Sequence, residues 1–458
     1  MKTFYRIATV LFVSSVLLFS CQPTNDEVKP ASTTKLPKDY SADAVLAWGN
    51  MYLELSRYAS GYRPPVSGRA LGYIGLAGYE AMVGGSKEYL SIQGYYAGLS
   101  IPKPDATATY HWGEVVNAAY AYMHKAFFPH VSDILKGKID ATQKSLEDKF
   151  SAETDATTFE RSKKYGEAVA TTIFNWSKTD TWGHEAFLNN IPTDYKPPVG
   201  VFNWQPTYPD YTKALLPYWG NVRTFVATED DKVSRPPMAF SSSPTSQFYA
   251  QANEVYATVN SATYEQKWIA QFWSDDVYQF TFEPAARWIA IADQVIATDK
   301  VDLEKAAFTH AKVGMALCDA GIVCWNSKYL YNVERPISYI RKYIDPNWVT
   351  LLTNPILNFQ GVTPPFPAYP SGHSTFSAAA GEVLSNIFGY QHPMTDRCHE
   401  NRTEFIGTPR AFNNFNEMAI ENAYSRVPLG VHYRMDCDEG VRMGNLVGRK
   451  INALRWKK

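Results

Sequence analysis

The chain has 458 residues, 45% of them hydrophobic and 14% aromatic, with 30 Tyr and 12 Trp, which is ample material for a large core and excludes bulk disorder. A formal net charge of −1 leaves no global field to attract nucleic acid or anionic lipid, so any anion recognition has to be local. No segment after residue 20 offers eighteen mostly apolar residues, which excludes a helical membrane domain there.

Residues 1–20 read as a signal peptide: Lys2 and Arg6 form a basic start, and Ile7 to Phe19 an apolar run short for a membrane span. Leu18-Phe19-Ser20-Cys21 resembles a bacterial lipobox, which makes Cys21 the lipidated residue of the mature N-terminus. The expectation is an exported lipoprotein of the cell envelope that touches the membrane only through its lipid anchor. Residues 21–40, rich in Pro, Thr, Asp and Lys, read as a flexible tether.

The rest divides into an N-terminal helical half, 41–245, and a C-terminal half, 246–458. Amphipathic spacing predicts helices over 44–58, with Ser41 and Asp43 as caps, then over 68–84, 108–128, 137–152 and 158–178. Residues 185–245 change character, because nine prolines from Pro192 to Pro244 interrupt a run dense in Tyr and Trp. Proline at that density stops long helices while the aromatics call for packing, so the segment is expected to cover a site. Helical periodicity resumes over 262–275, 284–298, 301–318, 372–389, 414–426 and 436–455. Strand signals are nearly absent, and the fold class is all-α, two packed helical halves.

With Cys21 lipidated, Cys318, Cys324, Cys398 and Cys437 remain. Cys398 with Cys437 is the preferred disulfide, because it would staple a loop to the helix beyond it; Cys318 and Cys324 read as buried thiols.

Three clusters carry the chemistry. Lys328 and Arg335 are separated by seven positions, close to two helical turns, and Pro336 ends the helix so that both cations can converge on one anion. Pro370-Ser371-Gly372-His373 switches from a proline-rich loop to helix formers, which puts Ser371 at an N-cap, free N–H groups beside it and His373 in the first turn. In Ser425 to Asp436, Pro428 and Gly430 break the helix between Arg426 and His432, and Asp436 lies one turn beyond His432, where a carboxylate can orient an imidazole.

The ordered triplet K-x6-RP, PSGH, SR-x5-H-x3-D resembles the signature of the superfamily uniting type 2 phosphatidic acid phosphatases, class A bacterial acid phosphatases and vanadium-dependent haloperoxidases. The resemblance covers mainly residues 260–450. It implies that Lys328, Arg335, Ser371, Gly372 and Arg426 hold the equatorial oxygens of an oxyanion. His432 is then the apical ligand of vanadate or the phosphorylated nucleophile of a phosphatase, His373 the acid/base, and Asp436 the residue orienting His432.

Lipid phosphatases of this superfamily are built on membrane-spanning helices and class A acid phosphatases resemble much shorter chains, so a large helical chain is more similar to the haloperoxidases. Flanking residues agree: Trp325 and Phe366 are similar to the chloride-oxidising members, and Gln271-Phe272-Trp273-Ser274-Asp275-Asp276 resembles a segment whose acidic residue pairs with the third-cluster arginine, here Asp276 with Arg426. Glu334 departs from the pattern, which has an aromatic residue beside the second cation; a carboxylate there would add negative charge near the anion. The primary reading is vanadate with hydrogen peroxide, halide and an organic acceptor as substrates. The alternative is a phosphatase without cofactor acting on phosphomonoesters through a phosphohistidine, and a third reading is a non-catalytic anion-binding lipoprotein. No nucleic-acid partner is expected, and the oligomeric state stays open, a dimer included.

Overall fold

The computed structural model describes residues 35–458; the signal segment, Cys21 and most of the tether lie outside the described residues. Helices α1 (Asp43–Tyr58), α2 (Pro64–Val83), α3 (Trp112–Phe127), α4 (Asp133–Ser151) and α5 (Ala156–Lys178) precede the proline-rich segment. After it come α6 (Gln247–Asn260), α7 (Tyr264–Phe272), α8 (Pro284–Thr298), α9 (Leu303–Tyr331), α10 (Pro336–Tyr343), α11 (Gly372–Phe388), α12 (Phe415–Tyr424), the single turn α13 (Arg426–Leu429) and α14 (Arg434–Ala453). Two antiparallel ribbons, β1 (Thr353–Asn354) with β2 (Phe359–Gln360) and β3 (Met394–Asp396) with β4 (Arg410–Phe412), are the strands among the described residues. The protein is mostly helical, and no described helix is long and apolar enough to cross a membrane.

Helix α9 runs well past the expected end at residue 318, because its neighbours bury it nearly all round and amphipathic spacing fades on such a helix. It stops at Asn332, whose left-handed φ of 49° caps the last turn. Two helices escaped the periodicity reading, α6 and the two-turn α10. The start of α1 also differs from expectation: Ala42 is its N-cap and no side chain caps it.

Close approach of backbones sets the helix packing. On α2, a Cβ at Gly75 would lie 2.6 Å from the His310 carbonyl of α9, and one at Gly314 on α9 would meet the Leu71 carbonyl at 2.4 Å, so bare backbone on both sides presses the N-terminal helices onto α9. A second ladder joins α14 to α11: Cβ atoms at Gly440, Gly444 and Gly448 would stand 2.7, 2.3 and 2.8 Å from the carbonyls of Ser371, Thr375 and Ala379. The spacing of four keeps these glycines on one face of α14, and their backbone contact fixes the height of its N-terminus against that of α11.

The segment from 185 to 245 keeps its irregular character, with isolated 3-10 turns such as Trp219–Asn221. It braces α9 rather than lining the site cavity described below. Asp319 accepts the N–H groups of Phe225, Val226 and Ala227, and the Leu215 carbonyl takes bonds from Trp325 Nε1 and Tyr329 Oη. These bonds supply the partners that a strand or helix would otherwise give its backbone.

The expected disulfide is absent. All cysteines among the described residues are free. Cys398 follows β3, where Asp396 is locked to Arg287 of α8 at 2.8 Å, so its thiol faces α8 and sits 3.1 Å from Gln294 Nε2. Cys437, in the first turn of α14, is buried in a separate apolar cluster with Tyr339, Ala368 and Tyr433. Cys318 and Cys324 are buried thiols on α9.

Candidate active site

The three clusters meet where α9 ends and α11 and α14 begin. Ser371 caps α11, accepting from Ser374 N, while its own N–H bonds the Asp436 carbonyl of α14 at 2.8 Å, which ties the second cluster to the third. Gly430, at φ 90°, turns the chain out of α13 so that His432 enters the space between the two helix starts.

His432 is the centre of the arrangement. Its Nδ1 lies 2.9 Å from Asp436 Oδ2, which also accepts the Tyr433 N–H at 3.0 Å. A carboxylate in that position fixes the Nδ1–H tautomer and leaves the lone pair on Nε2, which receives Arg335 Nη1 at 3.0 Å. Burial, then Arg335 and Lys328, hold the His432 pKa well below the usual imidazole range, so the ring is neutral and able to act as ligand or nucleophile. Burial pushes Asp436 up to about 7, against the opposing pull of Lys328 and Arg335.

The cations are buried and incompletely partnered. Arg335 is pinned by the Phe366 and Val431 carbonyls, yet its Nη2 has no hydrogen-bond partner. In Arg426, Nε, Nη1 and Nη2 are all without one; Nη2 stands 2.8 Å from Asp276 Oδ2, an ion pair by distance that lies outside hydrogen-bonding alignment. Burial lowers the Arg335 pKa to about 9 and that of Lys328 to about 7, because no compensating charge faces them closely enough. Unsatisfied guanidinium N–H groups beside a neutral imidazole match what a tetrahedral oxyanion needs, so the residues present fit vanadate or phosphate.

Lys328 departs from the expected role of direct grip. Its ammonium donates to the carbonyls of Pro367, Ala368 and Pro370 at 2.9, 2.9 and 2.5 Å. A buried ammonium has three donors to satisfy, and the loop before α11 satisfies them all. Lys328 therefore shapes that loop and contributes its field.

A small cavity of about 20 Å³ is walled by Asp276, Trp325, Phe366, Gly372, His373, Arg426 and His432. Lys328, Arg335 and Ser371 adjoin this lining, Arg335 through His432 Nε2 and Ser371 through its neighbour Gly372. Trp325 and Phe366 pack with ring centroids 4.7 Å apart, and Phe366 lies 4.9 Å from the Arg335 guanidinium, which keeps water off the cation. His373 Nε2 donates to the Ser274 carbonyl at 2.9 Å, which directs the Nδ1 lone pair elsewhere. Burial and Arg426 lower its pKa to about 4.

Glu334 does not line the cavity. Its carboxyl turns toward Lys342 and into the field of Tyr339 and Tyr433, with Oε1 unpartnered, and burial raises its pKa to about 8. The expected negative charge beside the anion is absent at neutral pH, since a carboxyl buried without a partner stays protonated. Sequence reasoning also missed the Ser274 carbonyl, which as backbone leaves no residue signal, and the glycine ladder at 440, 444 and 448, whose spacing was readable.

The family model of the VCPO second helical-bundle domain matches residues 308–455, the stretch that holds all three clusters. A crystal structure of a bacterial vanadium-dependent iodoperoxidase superposes with a TM-score of 0.79 at 29% identity, covering 93% of this chain and 99% of that one. Over residues 308–455 the chain matches a domain of the vanadium haloperoxidases, and over nearly its whole length it is similar to one of them. It is 24% identical to the vanadium chloroperoxidase of Curvularia inaequalis over 87% of this chain and 80% of that protein. It is 32% identical to a vanadium-dependent bromoperoxidase of Ascophyllum nodosum over 19% of this chain and 17% of that one. A bacterial vanadium-dependent chloroperoxidase shares the fold at a TM-score of 0.64 and 14% identity, over 95% of this chain and 96% of that one. The similarity to the iodoperoxidase and to the chloroperoxidases spans both helical halves of this chain.

Proposed function

We propose that this protein is an exported vanadate-dependent haloperoxidase, anchored through Cys21, that uses hydrogen peroxide to oxidise halide. One observation carries the reading: a neutral His432 with its Nε2 lone pair preserved by Asp436, facing guanidinium groups that have N–H donors to spare. Vanadate, when bound, supplies a Lewis-acidic centre that activates peroxide without a change of its own redox state.

The chain's residues do the rest. His432 would hold the cofactor through Nε2, Arg335 Nη2 and Arg426 would neutralise its oxygens, and the Ser371 hydroxyl and Gly372 N–H would complete the cradle at the start of α11. His373, neutral in this setting, is placed to accept a proton at Nδ1 from an incoming peroxide. Asp276 holds Arg426 in place against the anion, and Trp325 and Phe366 exclude water from the cationic side.

Iodide is the halide we assign first, on the similarity over nearly the whole chain to an iodoperoxidase. The test pairs two assays on one preparation. Peroxide-dependent iodide oxidation that requires added vanadate supports the proposal. Hydrolysis of a phosphomonoester, inhibited by vanadate and unaccompanied by oxidation of iodide or bromide, overturns it in favour of the phosphohistidine route.

A further inference from the structure

Beside the active site lies a second, more open groove of about 120 Å³. Its floor is the apolar cluster of Val277, Leu352 and Leu429, and Leu351 and Phe280 pack against that cluster. Phe280 and Phe405 stand with ring centroids 5.4 Å apart. The Arg402 guanidinium lies 5.2 and 4.9 Å from those two rings and bonds the Phe280 carbonyl at 3.0 Å, which braces this aromatic wall.

Two features mark the groove as a binding site. Thr281, only 7% exposed and lining it, has a hydroxyl with no hydrogen-bond partner. A buried polar group is normally satisfied, and one left unsatisfied beside a cavity is a place for a ligand's polar atom. The groove also shares its wall with the active site. Ser274 lines it and accepts the bond from His373, while Leu429 on its floor belongs to the same single turn, α13, as Arg426.

We propose that this groove binds a phenol-class organic acceptor, ring between the apolar floor and the Phe280–Phe405 wall, hydroxyl to Thr281. The proposal rests on the haloperoxidase reading. Peroxide, halide and a proton give hypohalous acid and water; hypohalous acid then delivers its halogen as an electrophile to a ring carbon, and the displaced ring proton leaves with the hydroxide as water. Held one wall from where the oxidant forms, the ring is met before the oxidant escapes.

The test uses p-cresol and the full-length protein in the absence of vanadate, peroxide and halide, with binding read by calorimetry and saturation-transfer NMR. The wild type is expected to bind p-cresol saturably. Leu351→Trp, which fills the groove from its rim, should weaken binding by about tenfold or more. Thr281→Val, which removes only the hydroxyl, should weaken it about three- to tenfold, the worth of one hydrogen bond. No saturable binding by the wild type, or unchanged affinity in Thr281→Val and in a folded Leu351→Trp, overturns the proposal. Because no turnover is needed, a protein that binds p-cresol as described but oxidises no halide contradicts the haloperoxidase reading and leaves the groove itself standing.

Discussion

Replacing Gly444 by alanine separates helix propensity from helix packing. Propensity alone favours alanine by about 1 kcal/mol in a helix interior. Here, however, the new Cβ would lie 2.3 Å from the Thr375 carbonyl, where real Cβ contacts essentially never fall below 3.0 Å, so α14 and α11 must part by about 0.7 Å. The obstacle is backbone and cannot rotate aside, so the overpacking cost belongs near the top of its usual range of about 1–3 kcal/mol. The net expectation is destabilisation by about 1–2 kcal/mol, together with weaker vanadate binding, because the Ser371 N–H to Asp436 carbonyl bond that joins the two helix starts must stretch from 2.8 Å. Urea unfolding gives the first quantity and calorimetric vanadate titration the second. An alanine variant as stable as the wild type, with unchanged vanadate affinity, would refute the packing argument.

Asp436→Asn keeps the shape but offers His432 either tautomer; vanadate affinity should fall about ten- to a hundredfold by calorimetry, and an unchanged value would remove Asp436 from the orienting role. Glu334→Gln should alter the pH dependence of stability. The wild-type carboxyl, raised to about 8 in the folded state, binds more protons folded than unfolded between its ordinary value and that pH, so it destabilises the wild type as pH rises through this window. The variant should lose less stability than the wild type between pH 5 and pH 8 in urea unfolding, and parallel curves would mean that Glu334 is ionised when folded.

The helical class and the local geometry of the three clusters were legible because each cluster is local: a cap, a proline stop, a carboxylate one turn from an imidazole. Asp276 with Arg426 was reached through the resemblance and lies at ion-pair distance in the structure. What escaped depends on three-dimensional surroundings. Lys328 meets its three carbonyls only after the loop of Pro367 to Pro370 has folded over it, and Glu334 turns from the cavity because α10 starts immediately after Arg335. The Cys398–Cys437 pairing failed for a similar reason, since the Arg287–Asp396 ion pair that orients Cys398 joins residues far apart in sequence. Helix α9 was cut short because a helix buried all round carries no amphipathic signal.

The most direct measurement of the central claim is a vanadate titration followed by ⁵¹V NMR, with wild type and His432→Ala compared side by side. The account predicts one bound vanadate per chain in the wild type, displaced by phosphate, with binding at least about a hundredfold weaker in the variant. Equal binding by both proteins, or none by either, would contradict it.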